Sequence, residues 1–354
     1  MRKSNLYLIS LCFILFGCHS QKTTETITLT GKVLISEVND ENFIGTPSYI
    51  VSIDDMLITG NSGGDTLFDV WNIHNMERIN SFIRRGKGPS ELRRIDSFNA
   101  DDKNRCIYTY DIDNKKLFSI SYNDLLKEKP LLQEDLHWNL DRNSPFVLGS
   151  TYKMNDCYFA HNLTDTARFI ILENNGELHH YEKFPDKTHI NPELTEMANA
   201  QLYDPMITIS PDRKKIAVCD HLSDMIDIIK LSNGKPTIQT TISAYPNDIY
   251  LMPIGDGQMQ GLCTPKTKRY CISNYATNDY IYAIWKGDIT NMQPNSGYLC
   301  SNIVRVFDWD GNECYTLTLD KDIFKLTVTP DNKTMYALTD KGGYAIIKYE
   351  MDLD

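Results

Sequence analysis

The sequence predicts an all-β fold: a six-bladed β-propeller of four-stranded antiparallel blades, its ring closed by an N-terminal strand joining the last blade. Three observations predict it. A turn, a strand and a closing polar residue recur around a period of roughly fifty residues; third and fourth strands follow the copies; and a spare strand near the start of the chain matches one missing at its end.

The clearest copies are ADDKNRCIYTYD from Ala100, SPDRKKIAVCD from Ser210 and TPDNKTMYALTD from Thr329. Each opens with Pro, Asp or Asn where a tight turn wants them, and continues into β-branched and aromatic residues. Weaker copies start at Ser52, Lys153 and Ala276, which makes six. The closing residue is Asn61, Asp111, Asn162, Asp220 or Asp340, at gaps of 50, 51, 58 and 120, the last gap holding the Ala276 copy. Third strands begin at Thr66, Lys116, Arg168, Met225, Ile303 and Tyr344, and clear fourth strands run over 78–83, 178–184, 237–243 and 314–319. The sixth blade runs out of chain, so the strand over 26–36 is expected to complete it and leave neither edge open.

Ahead of these elements, Arg2 and Lys3 precede an apolar run from Leu6 to Phe16, too short to span a bilayer. It ends in Leu15-Phe16-Gly17-Cys18, the pattern of a bacterial lipobox. Residues 1–17 therefore read as a lipoprotein signal peptide, Cys18 as the lipidated residue, 18–25 as its flexible tether and 26–354 as the propeller. The expected partner at that end is a membrane, through the lipid.

The chain carries 36 Lys and Arg against 47 Asp and Glu. Without Arg2 and Lys3 the balance is 34 against 47, a poor match for nucleic acid or an anionic bilayer surface. Seven cysteines follow Cys18, mostly inside strand-like runs where Cys packs as a small hydrophobe. No C-x-x-C pair exists, which argues against zinc, and an odd number leaves at least one free thiol.

One stretch interrupts the acidic background: RRGKGPSELRR, residues 84–94. It lies between the outer strand of blade one and the inner strand of blade two, so it is a crossover from rim to centre. A phosphate-binding P-loop needs G-x-x-x-x-G-K-[ST] between a strand and a helix, and this stretch offers neither. Gly86-Lys87-Gly88-Pro89-Ser90-Glu91 resembles the G-x-G-P-x-E signature of the TolB-like six-bladed β-propeller lipoproteins of Bacteroides-type bacteria, and YDIDNKKLFSI resembles an NHL-type blade. Leu92 stands where those proteins usually have Phe. The resemblance implies fold and export, and no activity. Lipoproteins of that kind often carry an acidic cluster after the lipidated Cys when bound for the cell surface; its absence here points to the periplasmic side of the outer membrane.

The unusual residues gather on one face, shared by the crossovers and the loops between second and third strands. The crossover after blade three carries NPELTEMANAQLYD, with Asn191 read as N-cap and Pro192 as the first residue of a short helix. The crossover over 244–268 holds Tyr245 and Tyr250, and blade five has an insertion over 286–301. Long loops on a rigid scaffold carry binding or simply cover the rim. Arg84, Arg85, Lys87, Arg93, Arg94, Tyr245 and Tyr250 are thus the candidate ligand-binding residues. The cations would attract an anionic ligand such as a carboxylated glycan, or form a solvated face paired with local acids such as Glu91. Asn61, Asp111, Asn162, Asp220 and Asp340 make a polar ring at the channel mouth, read as turn caps because they recur around the ring. His179 and His180 point to opposite faces of a strand and make poor joint ligands.

No G-x-S-x-G elbow is present and no catalytic residue is assigned. Two functions follow: a monomeric, non-catalytic binding or scaffold propeller without cofactor, with a protein, peptide or glycan partner on the crossover face; or a lactonase- or lyase-type enzyme using a divalent metal such as calcium in the central channel.

Overall fold

Each turn-and-strand copy becomes the first hairpin of one antiparallel sheet in the computed structural model, which describes residues 24–36, 45–88, 90–138, 148–164, 166–232, 235–255, 258–289, 298–340 and 342–353. From the innermost strand outward, blade one is Pro47–Ile53, Met56–Asn61, Thr66–Asn72 and Arg78–Arg85. Blade two is Ser97–Asp101, Cys106–Asp111, Lys116–Ser121 and Gln133–His137. Blade three is Leu148–Lys153, Cys157–Asn162, Phe169–Glu173 and Leu178–Tyr181. Blade four is Pro205–Ile209, Lys215–Asp220, Ile226–Ser232 and Lys235–Thr241. Blade five is Lys268–Ala276, Tyr280–Ile289, Ser301–Asp308 and Glu313–Ile323. The signal peptide and Cys18 lie outside the described residues, as does the middle of the blade five insertion.

Blade six has three strands of its own, Lys325–Val328, Thr334–Thr339 and Ala345–Glu350, and takes Lys32–Ser36 as its fourth, antiparallel to the last. The single N-terminal strand expected over 26–36 is in fact two. Glu25–Leu29 runs parallel to the outer strand of blade five, and the chain then steps across to blade six. The break falls at Gly31, whose amide donates to Asp320 Oδ1 at 2.9 Å. A Cβ there would lie 2.5 Å from Ile347 and 2.7 Å from the Tyr349 ring, so only glycine fits the step.

A propeller has no single central core, because both faces of every blade are apolar and each buries against a neighbour. Blades one and two share Ile58, Phe68, Phe82 and Ile120; two and three share Tyr110, Trp138 and Ile170; three and four share Phe159, Ile171 and Ile229; four and five share Cys219, Trp285 and Trp309. One larger cluster joins five, six and one, with Tyr282, Leu326, Ile347, Trp71 and Leu57. That cluster closes the ring.

The turns between first and second strands form the face opposite the crossovers, and they lock to one another. Arg105 grips Asp54 through both terminal guanidinium nitrogens at 2.9 and 2.6 Å, tying blade two to blade one. Asn332 Nδ2 donates to Asp279 at 2.8 Å, tying six to five. Arg213 of blade four reaches two other blades: it pairs with Asp101 at 2.6 Å and donates to Ala100 O at 2.9 Å and Lys153 O at 2.5 Å. No helix among the described residues is long and apolar enough to cross a membrane.

Candidate functional site: the central channel

The innermost strands of all six blades wall a cavity of about 480 Å³ along the ring axis. Its apolar wall includes Tyr49, Phe98, Tyr152, Met206, Tyr275 and Leu326, one from each blade. The lining continues to Asp102, Lys103, Asp212 and Asn278, in turns of the face opposite the crossovers.

Most polar groups on this wall are occupied in stitching neighbouring inner strands together. Tyr49 donates to Ile95 O at 3.3 Å and Tyr152 to Ile207 O at 3.1 Å. Ser150 donates to Asp96 O at 2.9 Å, Asn274 to Met206 O at 2.8 Å, and the Ser52 amide to Thr327 Oγ1 at 3.2 Å. Burial pushes the phenols of Tyr49, Tyr152 and Tyr275 above their ordinary range, so they stay neutral donors. The carboxylates are held as well. Asp96 pairs with Arg94 at 2.5 Å and accepts from the Ile112 amide at 2.9 Å; burial still raises its carboxyl pKa. Asp102 accepts from Tyr122 at 2.8 Å, and Asp212 from Ser210 and from the Lys214 amide at 3.1 Å.

Lys325 is different. It opens the inner strand of blade six, lines the cavity and has its ammonium 5.2 Å from the centre of the Tyr49 ring, with no carboxylate partner among the described residues. Its side chain is half-buried, bordering channel space on one side and protein on the others. Desolvation lowers its pKa to about 8. Lys325 was missed in the sequence, where the signal was a lone lysine at the head of the apolar strand KLTV.

The basic crossover is a folded corner. Residues 91–92 pair in parallel with Arg84–Arg85, and Glu91 turns back so that its Oε2 accepts from the Gly88 amide at 2.8 Å. A Cβ on Gly86 would sit 1.9 Å from that oxygen, so the clamp needs glycine there; one on Gly88 would make a tight contact at 3.0 Å. Arg85 donates to the carbonyls of Ser62 at 2.8 Å and Arg93 at 2.7 Å, and the Arg93 amide donates to Asp111 at 2.7 Å. Arg84 and Lys87 are exposed, and Pro89 lies outside the described residues. Glu91, expected to pair with local cations, spends its carboxylate on backbone because the turn leaves the amide pointing at it.

The five closing residues stand one strand behind the channel wall and none lines the cavity. Asp111 accepts from the amides of Asp113 and Asn114 at 3.1 and 3.2 Å, and Asp220 from those of Leu222 and Ser223 at 3.1 and 2.7 Å. Asn162 donates to Ala167 O at 2.7 Å, Asn61 to Asp69 at 2.7 Å, and Asp340 accepts from the Tyr298 amide at 2.9 Å.

On the crossover face, Asn191 closes a turn onto the Glu193 amide, and the helix starts later, Glu196–Ala200, capped by Thr195. The crossover over 244–268 forms a hairpin, Ile249–Gly255 with Gln258–Cys263, packed on that helix through Leu194, Leu202, Ile249 and Leu251. Tyr245 stacks on His189 at 4.1 Å, and Tyr250 is 59% exposed. No described contact joins these tyrosines to the cations of the first crossover. Far from the channel, on the outer hairpin of blade three, Glu173, Glu177 and His179 cluster; among the described residues this is the one group of three potential metal ligands. His179 thus meets two glutamates across the hairpin turn and not its neighbour His180.

A family model described as TolB-like 6-blade propeller-like matches residues 25–331. No curated protein matches the sequence. Among solved structures, a member of the DUF4221 family from Bacteroides vulgatus aligns with a TM-score of 0.57 at 11% identity, over 92% of this chain and 97% of that one. A Bacteroides fragilis protein described as exported aligns at 0.54 and 10% identity, over 94% and 100%. Regucalcin, a calcium-binding protein of Agrobacterium tumefaciens, aligns at 0.50 and 11%, over 94% and 98%. At such identities the likeness is one of fold.

Proposed function

The chain belongs to the TolB-like 6-blade propeller-like family, and on that premise we propose that it is a lipid-anchored, non-catalytic binding propeller of the bacterial outer membrane, facing the periplasm, that holds a small molecule in its central channel. The observation that carries this reading is the cavity itself. Its volume of about 480 Å³ falls in the small-molecule range of roughly 300–1,000 Å³, and its wall is apolar and aromatic with few free polar groups. The sequence puts the ligand on the crossover face; the enclosed space lies instead along the axis, and the crossover face is left for a protein, peptide or glycan partner.

A lactonase- or lyase-type reaction through a metal such as calcium needs several oxygen ligands free to converge. Among the described residues the three channel carboxylates form no such cluster: Asp96 pairs with Arg94, and Asp102 and Asp212 lie in turns of different blades, which supports binding over hydrolysis. The anchor rests on the lipobox-like run ending at Cys18; since Glu25 pairs at the outer edge of blade five, a lipid there would hold the ring by its rim.

Native mass spectrometry of the protein purified from its own envelope tests the channel. The wild type is expected to retain a small molecule that Ala100→Trp, which fills the channel wall, does not. Equal spectra from both would overturn the reading. Incorporation of an alkyne-tagged fatty acid by the wild type and not by Cys18→Ala tests the anchor.

A further inference from the structure

We propose that the channel is a site for a small carboxylate-bearing ligand with an aromatic or apolar body, its anionic head on the ammonium of Lys325. The inference rests on the channel-binding reading and names the ligand's chemistry.

An ammonium removed from bulk water is costly unless an anion or several acceptors replace its hydration. Lys325 has neither from the described protein: its one described charge-related contact is the face of Tyr49 at 5.2 Å, which compensates in part. Cys271 is no counter-ion, because burial holds its thiol neutral, well above the usual thiol range. A second unmet donor belongs to the same wall. Asn99 gives its Oδ1 to Arg213 at 2.8 Å, while its buried Nδ2 has no acceptor. Of the lining acids, Asp96 is paired with Arg94, and Asp102 and Asp212 are exposed in turns at the other end of the channel. What the wall lacks is a negatively charged acceptor, and what it offers around that gap is aromatic and aliphatic surface. A ligand carboxylate supplies the missing charge and its body covers the apolar wall. Charge-assisted bonds of this kind gain in a low-dielectric channel relative to water.

Tyr49 of blade one stands beside Lys325; the other titratable groups of the lining are Asp96, Asp102 and Lys103 of blade two, Tyr152 of blade three, Asp212 of blade four and Tyr275 of blade five, with Asp102, Lys103 and Asp212 in turns at the other end of the channel and Cys271 buried behind the wall. The phenols and the thiol are pushed upward and stay neutral where Lys325 titrates. Lys325 is charged below about pH 8 and neutral above it, so anion preference must be present below and lost above.

Isothermal titration of the full chain in detergent with 2-naphthoate and with its uncharged analogue 2-naphthamide tests this. At pH 7 naphthoate is expected to bind at least about tenfold tighter than the amide. The ratio should fall toward one by pH 9.5, where naphthoate is still ionised. Lys325→Met should bind both alike, and Lys325→Arg should keep the preference at both pH values. Equal binding of the two probes by the wild type at pH 7, or a naphthoate affinity unchanged in Lys325→Met, overturns the inference. If the amide binds wild type as well as naphthoate does and is lost in Ala100→Trp, the channel reading survives and the carboxylate is wrong. If neither probe binds and native mass spectrometry also finds no channel ligand, both fall.

Discussion

Replacing Arg213 by Met should unlock the ring on the face opposite the crossovers. The side chain is 3% exposed and pairs with Asp101, itself 1% exposed, at 2.6 Å. Its other nitrogens donate to Lys153 O at 2.5 Å, Ala100 O at 2.9 Å and Asn99 Oδ1 at 2.8 Å, and its guanidinium lies 4.7 Å from the Tyr108 ring centre. Blade four thereby holds blades two and three. Met matches the aliphatic stem and tolerates the positive φ of 53° no worse than Arg, so the change isolates the head group. Breaking a buried pair from one side typically costs about 3–5 kcal/mol. Here the loss has two parts: an unpaired Asp101, which keeps its bonds from Asn104, and three acceptors left to find water, each worth about 1–3 kcal/mol if they fail. Release of the desolvated guanidinium, whose pKa burial lowers, offsets part of this. The net expectation is about 3–5 kcal/mol, read as the change in midpoint of a urea unfolding curve. Asp101→Asn and the double variant complete a cycle whose coupling should exceed about 1 kcal/mol. A loss below about 1 kcal/mol for Arg213→Met would refute the idea that these turns lock the ring.

Two further outcomes follow from local chemistry. Burial raises the Asp220 carboxyl to about 7, against an unfolded value near 4, so its contribution to stability is present below about pH 4 and lost as pH rises through 7. Asp220→Asn, the residue that blades one and three use at this position, should flatten that dependence and be the more stable form at pH 8 by about 2–4 kcal/mol; a less stable variant at pH 8 would count against it. At the basic corner, Gly86→Ala should push the Glu91 carboxylate off the Gly88 amide and lower stability by about 1–2 kcal/mol, as should Glu91→Ala. The two substitutions disrupt the same contact, so the double variant should cost little more than either alone; full additivity in denaturation would exclude the shared clamp.

Much of the fold is legible because a propeller repeats. A blade is four consecutive strands, and Asp111 and Asp220 close their second strands by bonding amides two and three residues away. Such local rules leave a local trace in sequence. The fourth strand of blade two, Gln133–His137, left a weak trace: it is partly exposed and its hydrophobic content is low. The helix after blade three started later than Asn191 because that side chain closes a turn of its own, and Thr195 is the next residue able to cap.

The channel was not legible, since its wall takes a few residues from every blade, and no spacing along the chain says which of them remain without partners. Lys325 has no carboxylate partner among the described residues, whereas Arg213 is held by Asp101 from a different blade. The sequence by itself determined the repeated blade and the glycine corner, which rest on contacts between residues close along the chain, and the ring closure, which showed as a strand missing at one end and a spare one at the other. Only the tertiary structure decided which charges pair between blades, because that depends on distances between residues far apart along the chain.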